Sequence, residues 1–169
     1  EQIQKFLIPA MKGEKIAALG ITEPDAGSDV SGIKTKAVRD GDEWVINGSK
    51  IFITNGVRAD FITLVAKTDT EKGHRGVSLF LVETDRPGFK VVRKLNKLGM
   101  RASDTAEILF DNVRVPAENL LGVEGNGFKQ IMWELQGERL IGSASSVAGA
   151  EHCLELAIDY AKNRVQFKQ

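Results

Sequence analysis

From about Asn126 onward the hydrophobic pattern changes its period from two to 3.6, and this feature most narrows what the chain can fold into. Phe128, Ile131, Met132, Leu135, Val147, Ala148, Leu154, Ala157, Ile158 and Ala161 recur along one helical stripe, interrupted by Gly137, Gly142 and Gly149. A helix of about 38 residues would be about 57 Å long, against about 30 Å for the width of a small domain. Such a helix outreaches any sheet the preceding residues can build. Its stripe needs other helices to cover it, and the only other helical pattern is Ile3, Phe6 and Leu7, stopped by Pro9. The chain therefore reads as the middle of a longer protein. Residues 1–14 end one helical domain, 15–121 form a whole β domain, and 122–169 begin a second helical domain.

Within the β domain, alternating patterns predict strands over 15–21, 34–38, 44–47, 51–55, 61–67, 77–83, 89–93 and 107–113. Asp40-Gly41-Asp42 reads as a hairpin turn, and Asn47-Gly48 as a second. The spacing suits a compact β-sandwich or barrel, so the expected fold is mainly β with flanking α.

Twenty-three basic residues balance twenty-three acidic ones, which gives no support to a nucleic-acid or anionic-membrane partner. No apolar run approaches the roughly 20 residues that span a bilayer, so a soluble protein is expected. The single Cys153 excludes an intrachain disulfide and is expected to pack as a small apolar residue in a reducing compartment. His74 and His152 lack partners at metal-ligand spacing, and no metal is expected. Gly122-Val-Glu-Gly-Asn-Gly127 lacks the spacing of a dinucleotide fingerprint, and no nucleophile elbow suggests hydrolysis. Asn47-Gly48-Ser49 matches a glycosylation triplet but reads as structural.

Two stretches carry chemistry. Leu19-Gly-Ile-Thr-Glu-Pro-Asp-Ala-Gly-Ser-Asp-Val30 is a strand running into a loop whose Pro24, Gly27, Ser28 and Asp29 suit tight turns, leaving backbone N–H groups free to face a ligand. This loop looks like a clasp. In Ile51-Phe-Ile-Thr-Asn-Gly56, Phe52 and Thr54 fall on one face by strand alternation. A flat, electron-deficient heterocycle needs a ring to stack on and short donors for its nitrogens and carbonyls, and flavin is the commonest such cofactor.

Together the two stretches resemble the acyl-CoA dehydrogenase family, whose middle domain carries a Thr-Glu-Pro-x-Ala-Gly-Ser-Asp loop and an aromatic-Ile-Thr-Asn-Gly strand. The resemblance continues through Lys97-Leu-Gly-Met-Arg-Ala-Ser-Asp-Thr105 and Asp111-Asn-Val-Arg-Val-Pro116 into the C-terminal helix. It implies a middle-domain β-sandwich or barrel followed by the first long helix of a truncated helical bundle. It also implies the cofactor FAD, with the backbone and hydroxyl groups of Leu19, Ile21 and Thr22 on its pyrimidine side. Ser28 would reach flavin phosphate or the CoA thioester arm, Phe52 would pack on the isoalloxazine beside Ile53, and Thr54 would donate to flavin N5. Arg164-Val-Gln-Phe167 resembles a motif that reaches a neighbouring subunit's FAD, so Arg164, Gln166 and Phe167 join the cofactor set. Two positions depart from the family pattern: Asp25 stands where glycine is usual, and Lys168 replaces the glycine after that phenylalanine.

The reaction so implied is α,β-desaturation of an acyl-CoA thioester, with electrons passed to an electron-transferring flavoprotein. In this family the base lies in the distal C-terminal domain or on a helix immediately before an arginine. The second position is filled here by Glu138-Arg139, as in isovaleryl-CoA and long-chain acyl-CoA dehydrogenases, with Gln136, Arg139 and Ser28 as substrate contacts. The resemblance further implies a dimer or tetramer, in the cytoplasm if bacterial and the mitochondrial matrix if eukaryotic. An acyl-CoA oxidase or flavin monooxygenase of the same fold, or a non-catalytic β-sandwich binding module, are the alternatives. The 169-residue piece alone is expected to be inactive and to bind FAD weakly.

Overall fold

The computed structural model describes residues 1–168 and divides into two compact units, Glu1–Lys129 and the segment from Gln130 onward. In the first unit a wide helical turn over Ile3–Leu7 runs into a short helix, α1 (Ile8–Met11). Seven strands follow: β1 (Ala17–Gly20), β2 (Lys36–Asp40), β3 (Glu43–Thr54), β4 (Phe61–Lys67), β5 (Val77–Glu83), β6 (Phe89–Lys94) and β7 (Thr105–Pro116). They form one mixed sheet in the order β1-β4-β2-β3-β7-β6, with β5 also paired to β4. Alternate residues of its strands, among them Ile46, Ile53, Ile62, Leu64, Phe80, Ile108 and Phe110, meet in a single buried cluster. The sheet therefore curls round one core, the half-barrel form of the sandwich or barrel expected from strand spacing.

One edge of β4 is taken by β5 along its whole length, and the other is shared. β1 pairs in parallel with Phe61–Leu64, while β2 reaches only Lys67. Between them the chain leaves the sheet at Gly20 and returns at Lys36, so the clasp fills the gap between two strands on one edge.

The predicted hairpin turn at Asn47-Gly48 does not exist. β3 runs unbroken for 12 residues, and the two short strands expected at 44–47 and 51–55 are one. Gly48, at φ 149°, is there because the residue entering β2 leaves no room: a Cβ would lie 2.6 Å from the Thr35 Cα. Asn47 serves the neighbouring strand, its side-chain oxygen accepting from the Asn112 N–H at 2.9 Å, where β7 carries an extra residue with Asn112 at φ 53°.

The helix α2 (Gly127–Asn163) begins in the first unit. Gly127 lies so close to β5 that a Cβ there would meet the Ser78 Cα at 2.7 Å, and the Ser78 hydroxyl accepts from the Gly125 N–H at 2.9 Å. The glycine turn thus packs closely on β5. In the second unit every residue from Gln136 to Lys168 is exposed, including Leu140, Ile141, Val147, Leu154 and Ile158. Cys153, expected to pack as a small apolar residue, is exposed as well. The apolar stripe has no cover within that unit. Among the described residues no helix is long and apolar enough to cross a membrane.

Candidate functional site

β3 and β6 each carry one more residue than β7 at the level of Glu107. Lys50 and Ile53 on β3 pair with Ile108 and Ala106, and Val91 and Arg93 on β6 pair with Ile108 and Glu107. A bulge re-aims a side chain, and the one on β3 places Phe52 in the left-handed region at φ 62° with the residue 64% exposed. An aromatic residue held in that conformation is an outlier that points to function. Ile53 turns into the core, and Thr54 is exposed on the same side as Phe52. Beside them lies a cleft of about 520 Å³ lined by Phe52, Arg93, Lys94, Leu95, Asn96, Lys97 and Thr105.

The strand then stops abruptly. Asn55, also left-handed at φ 62°, takes its N–H to the Asp104 carbonyl at 3.2 Å and its side-chain amide to the Ala17 carbonyl of β1 at 3.2 Å. The Asp104 carboxylate accepts from the Val57 N–H at 2.8 Å and pairs with Arg58. Asn55-Gly56 is the true turn of this region.

The clasp is joined to the same strand. The Ile51 N–H donates to the Thr22 carbonyl at 2.9 Å, which sets Thr22 next to the residue preceding Phe52. Glu23 and Ala26 exchange backbone hydrogen bonds around Pro24-Asp25, and Asp29 accepts from the Ser31 N–H and hydroxyl. Among the described residues the N–H groups of Thr22, Gly27 and Ser28 have no backbone acceptor. Asp25 points to solvent and pairs with Lys34 at 2.8 Å, so the departure from glycine is met by a counter-charge.

Under the loop lie two residues that sequence reading passed over. Lys50 is wholly buried, and its Nζ donates to the Ile21 carbonyl and to Glu23 Oε1, each at 2.8 Å. The Glu23 carboxylate also accepts from the N–H groups of Lys34 at 2.6 Å and Thr35 at 3.0 Å. Burial pushes the Glu23 carboxyl up, but the Lys50 charge and these hydrogen bonds outweigh it and hold the group below the usual carboxylate range. Burial pushes Lys50 down to about 8, with Glu23 opposing. Their one legible signal was a charge at Lys50, on a strand position that alternation turns inward; Glu23 lies in the loop and carries no such mark.

Family models match nearly the whole chain: "Acyl-CoA dehydrogenase, middle domain" over residues 18–113 and "Acyl-CoA dehydrogenase, C-terminal domain" over residues 125–169. This chain belongs to the acyl-CoA dehydrogenase family. It is 47% identical over 167 residues to a short-chain-specific acyl-CoA dehydrogenase of Megasphaera elsdenii, covering 98% of this chain and 44% of that protein. It is 46% identical over 169 residues to a mitochondrial long-chain-specific acyl-CoA dehydrogenase of Mus musculus, covering 99% and 39%. The crystal structure of an acyl-CoA dehydrogenase from Geobacillus kaustophilus superposes with a TM-score of 0.92 at 48% identity, covering 99% of this chain and 45% of that one. The chain thus spans less than half the length of these relatives.

In this acyl-CoA dehydrogenase family chain, Leu19, Ile21, Thr22, Phe52, Ile53 and Thr54 come together at the joined ends of β1 and β3, with Ser28 exposed on the clasp. An exposed, strained aromatic ring beside an exposed hydroxyl and free backbone donors fits a flavin ring. Ile53 is buried, only 2% exposed, with its side chain in the core cluster. Gln136, Glu138, Arg139, Arg164, Gln166 and Phe167 belong to the second unit, all exposed. There the Glu134 carboxyl is raised by burial, by a hydrogen bond with Glu138 and by its like charge. Among the described residues neither Glu138 nor Arg139 enters an ion pair, although Arg139 is adjacent in sequence; the two side chains diverge by about 100° around the helix. Past the helix end Arg164 lies over the Tyr160 ring at 5.9 Å.

Proposed function

We propose that the full-length protein is an FAD-dependent acyl-CoA dehydrogenase that introduces an α,β double bond into an acyl-CoA thioester and passes the electrons to an electron-transferring flavoprotein. The observation that carries this reading is the left-handed Phe52, presented with Thr54 on a bulged strand that is hydrogen-bonded to the clasp, in a chain that belongs to this family. When bound, FAD supplies the acceptor for the β hydrogen, which leaves as hydride to N5.

The chain's own residues do the rest. Phe52 offers the face on which the ring stacks, and Thr54 the hydroxyl that donates to it. The backbone of Leu19, Ile21, Ile53 and Thr22, with the Thr22 hydroxyl, supplies donors and acceptors along the ring edge. Ser28 donates to a phosphate or to the thioester arm. Glu138 removes the α proton, with no cation on the helix competing for its carboxylate. Gln136 and Arg139 hold the substrate near it, while Arg164, Gln166 and Phe167 serve the cofactor of a neighbouring subunit in a dimer or tetramer. Localisation follows the source, cytoplasm in a bacterium or the mitochondrial matrix in a eukaryote.

Anaerobic stopped-flow reduction of the full-length enzyme with saturating acyl-CoA tests the assignment. Glu138→Gln should keep FAD and substrate binding and lower flavin reduction by several orders of magnitude, because only proton abstraction is lost. Loss of a general base should slow the reaction at least about a hundredfold. A rate within about tenfold of the parent would move the base to the C-terminal part beyond this chain.

A further inference from the structure

We propose that Lys50 is a positioning residue for the flavin: through the hydrogen bond it donates to the Ile21 carbonyl, its buried ammonium polarises the Ile21–Thr22 peptide and makes the Thr22 N–H a stronger donor toward a ring seated on the clasp, favouring the reduced, electron-rich state. The inference rests on the proposed function and names a residue that faces no solvent.

Two charges removed from water seldom add net stability over apolar residues of similar volume, so Lys50 and Glu23 are poorly explained as a stability device. Their hydrogen bonds reach beyond each other and hold both sides of the loop. Lys50 Nζ bonds the Ile21 carbonyl at 2.8 Å on the side where the clasp leaves β1, and Glu23 bonds the Lys34 and Thr35 N–H groups on the side where it rejoins β2. The Ile21 carbonyl and the Thr22 N–H belong to one conjugated amide, so a cation on the oxygen withdraws electron density from the nitrogen. That N–H has no backbone acceptor among the described residues, while the Thr22 carbonyl is fixed by the Ile51 N–H at 2.9 Å. A free, oriented and polarised donor thus sits one hydrogen bond from the residue before Phe52. The Glu23 carboxylate bonds the same Nζ at 2.8 Å, so what acts on the Ile21 carbonyl is the oriented dipole of the buried pair, its positive end on the oxygen, in a region of low dielectric.

A pin that only held the loop would weaken oxidised and reduced flavin alike. A donor strengthened by a cation favours the reduced ring, which carries more negative charge, so it moves the potential. The test uses full-length holoenzyme and two variants, Lys50→Met and the double variant Glu23→Gln/Lys50→Met; the second leaves no unpaired charge and keeps the experiment readable if the first folds poorly. Spectroelectrochemical titration without substrate gives the flavin midpoint potential, and FAD titration of the apoprotein gives affinity. Both variants should have a lowered potential, reflecting at least a tenfold loss in relative affinity for the reduced state, about 30 mV for a two-electron couple. An unchanged potential in variants that still bind FAD overturns the inference and leaves Lys50 as a structural pin. If the parent protein takes up no FAD at all, the proposed function falls and takes this inference with it.

Discussion

Glu23 and Glu134 are both withdrawn from solvent, the first almost wholly and the second in part, and the groups facing them differ in sign. Glu23, under the clasp, meets the Lys50 ammonium and two backbone N–H groups, and its carboxyl is lowered. Glu134, on the long helix, meets the carboxylate of Glu138 one turn on, and its carboxyl is raised. In the first unit charge is completed by the chain itself, so it serves the framework. On the helix the like pair is left without a counter-ion among the described residues, so it is available to accept a proton or to receive a partner from the rest of a bundle.

The sharpest way to break this contrast is to uncomplete the finished pair. Glu23→Gln leaves the Lys50 charge buried with only the Ile21 carbonyl, and removing one partner of a buried pair costs about 3–5 kcal/mol. Lys50→Met should cost less, because Glu23 keeps the Lys34 and Thr35 N–H bonds. The double variant should recover most of the loss, since no unpaired charge remains. Urea unfolding of the three variants measures this order, and a cost under about 1 kcal/mol for Glu23→Gln would mean that the pair is not the anchor of the loop.

Next in size is the contrast in backbone packing. Gly48→Ala forces a Cβ against the Thr35 backbone at a φ that side chains rarely adopt, and should destabilise the β unit by about 3 kcal/mol in a thermal melt. Gly142 has nothing within 4 Å of a built Cβ. In the 169-residue chain Gly142→Ala should therefore act in the opposite direction, raising helix stability by up to about 1 kcal/mol, read by circular dichroism.

The smallest effect is in pH dependence, where the two carboxylates should give slopes of opposite sign. Glu23 has a folded pKa below its ordinary value of 4.5, so its stabilisation is present above that value and lost as pH falls through the folded one. Glu83 adds to the same limb: burial pushes it up, but Arg86 and Lys5 hold it down to about 2. Glu134 has a folded pKa above 4.5, so the folded state holds the extra proton and stability falls as pH rises through that window. A tenfold change in proton affinity on folding corresponds to about 1.4 kcal/mol. Stability curves of full-length Glu23→Gln and Glu134→Gln from pH 7 to pH 3 should flatten in opposite directions relative to the parent. Parallel curves would remove the distinction between the two sites.

Much of this molecule was determined by local pattern. Alternation placed β4 and β5 at their observed bounds, the change of period marked α2, and Pro24, Gly27 and Ser28 marked a loop with free donors. Phe52 and Thr54 are both exposed, as expected, although a bulge rather than plain alternation presents Phe52. Tertiary structure decided what the two Asn-Gly dipeptides in and just after β3 do. Asn47-Gly48 has the better hairpin context yet lies in mid-strand, because Thr35 packs where a side chain at Gly48 would be and β7 pairs on both sides of the dipeptide, taking up an extra residue at Asn112. Asn55-Gly56 is the turn, because Asp104 and Ala17 hold Asn55 in the left-handed conformation. A dipeptide states which conformations are cheap, and only residues far away in sequence determine which is used. The same reason hid the buried pair. Glu23 and Lys50 are 27 positions apart, each an ordinary charged residue to any local pattern, and they become an anchor only when the curled sheet brings both out of water against one loop.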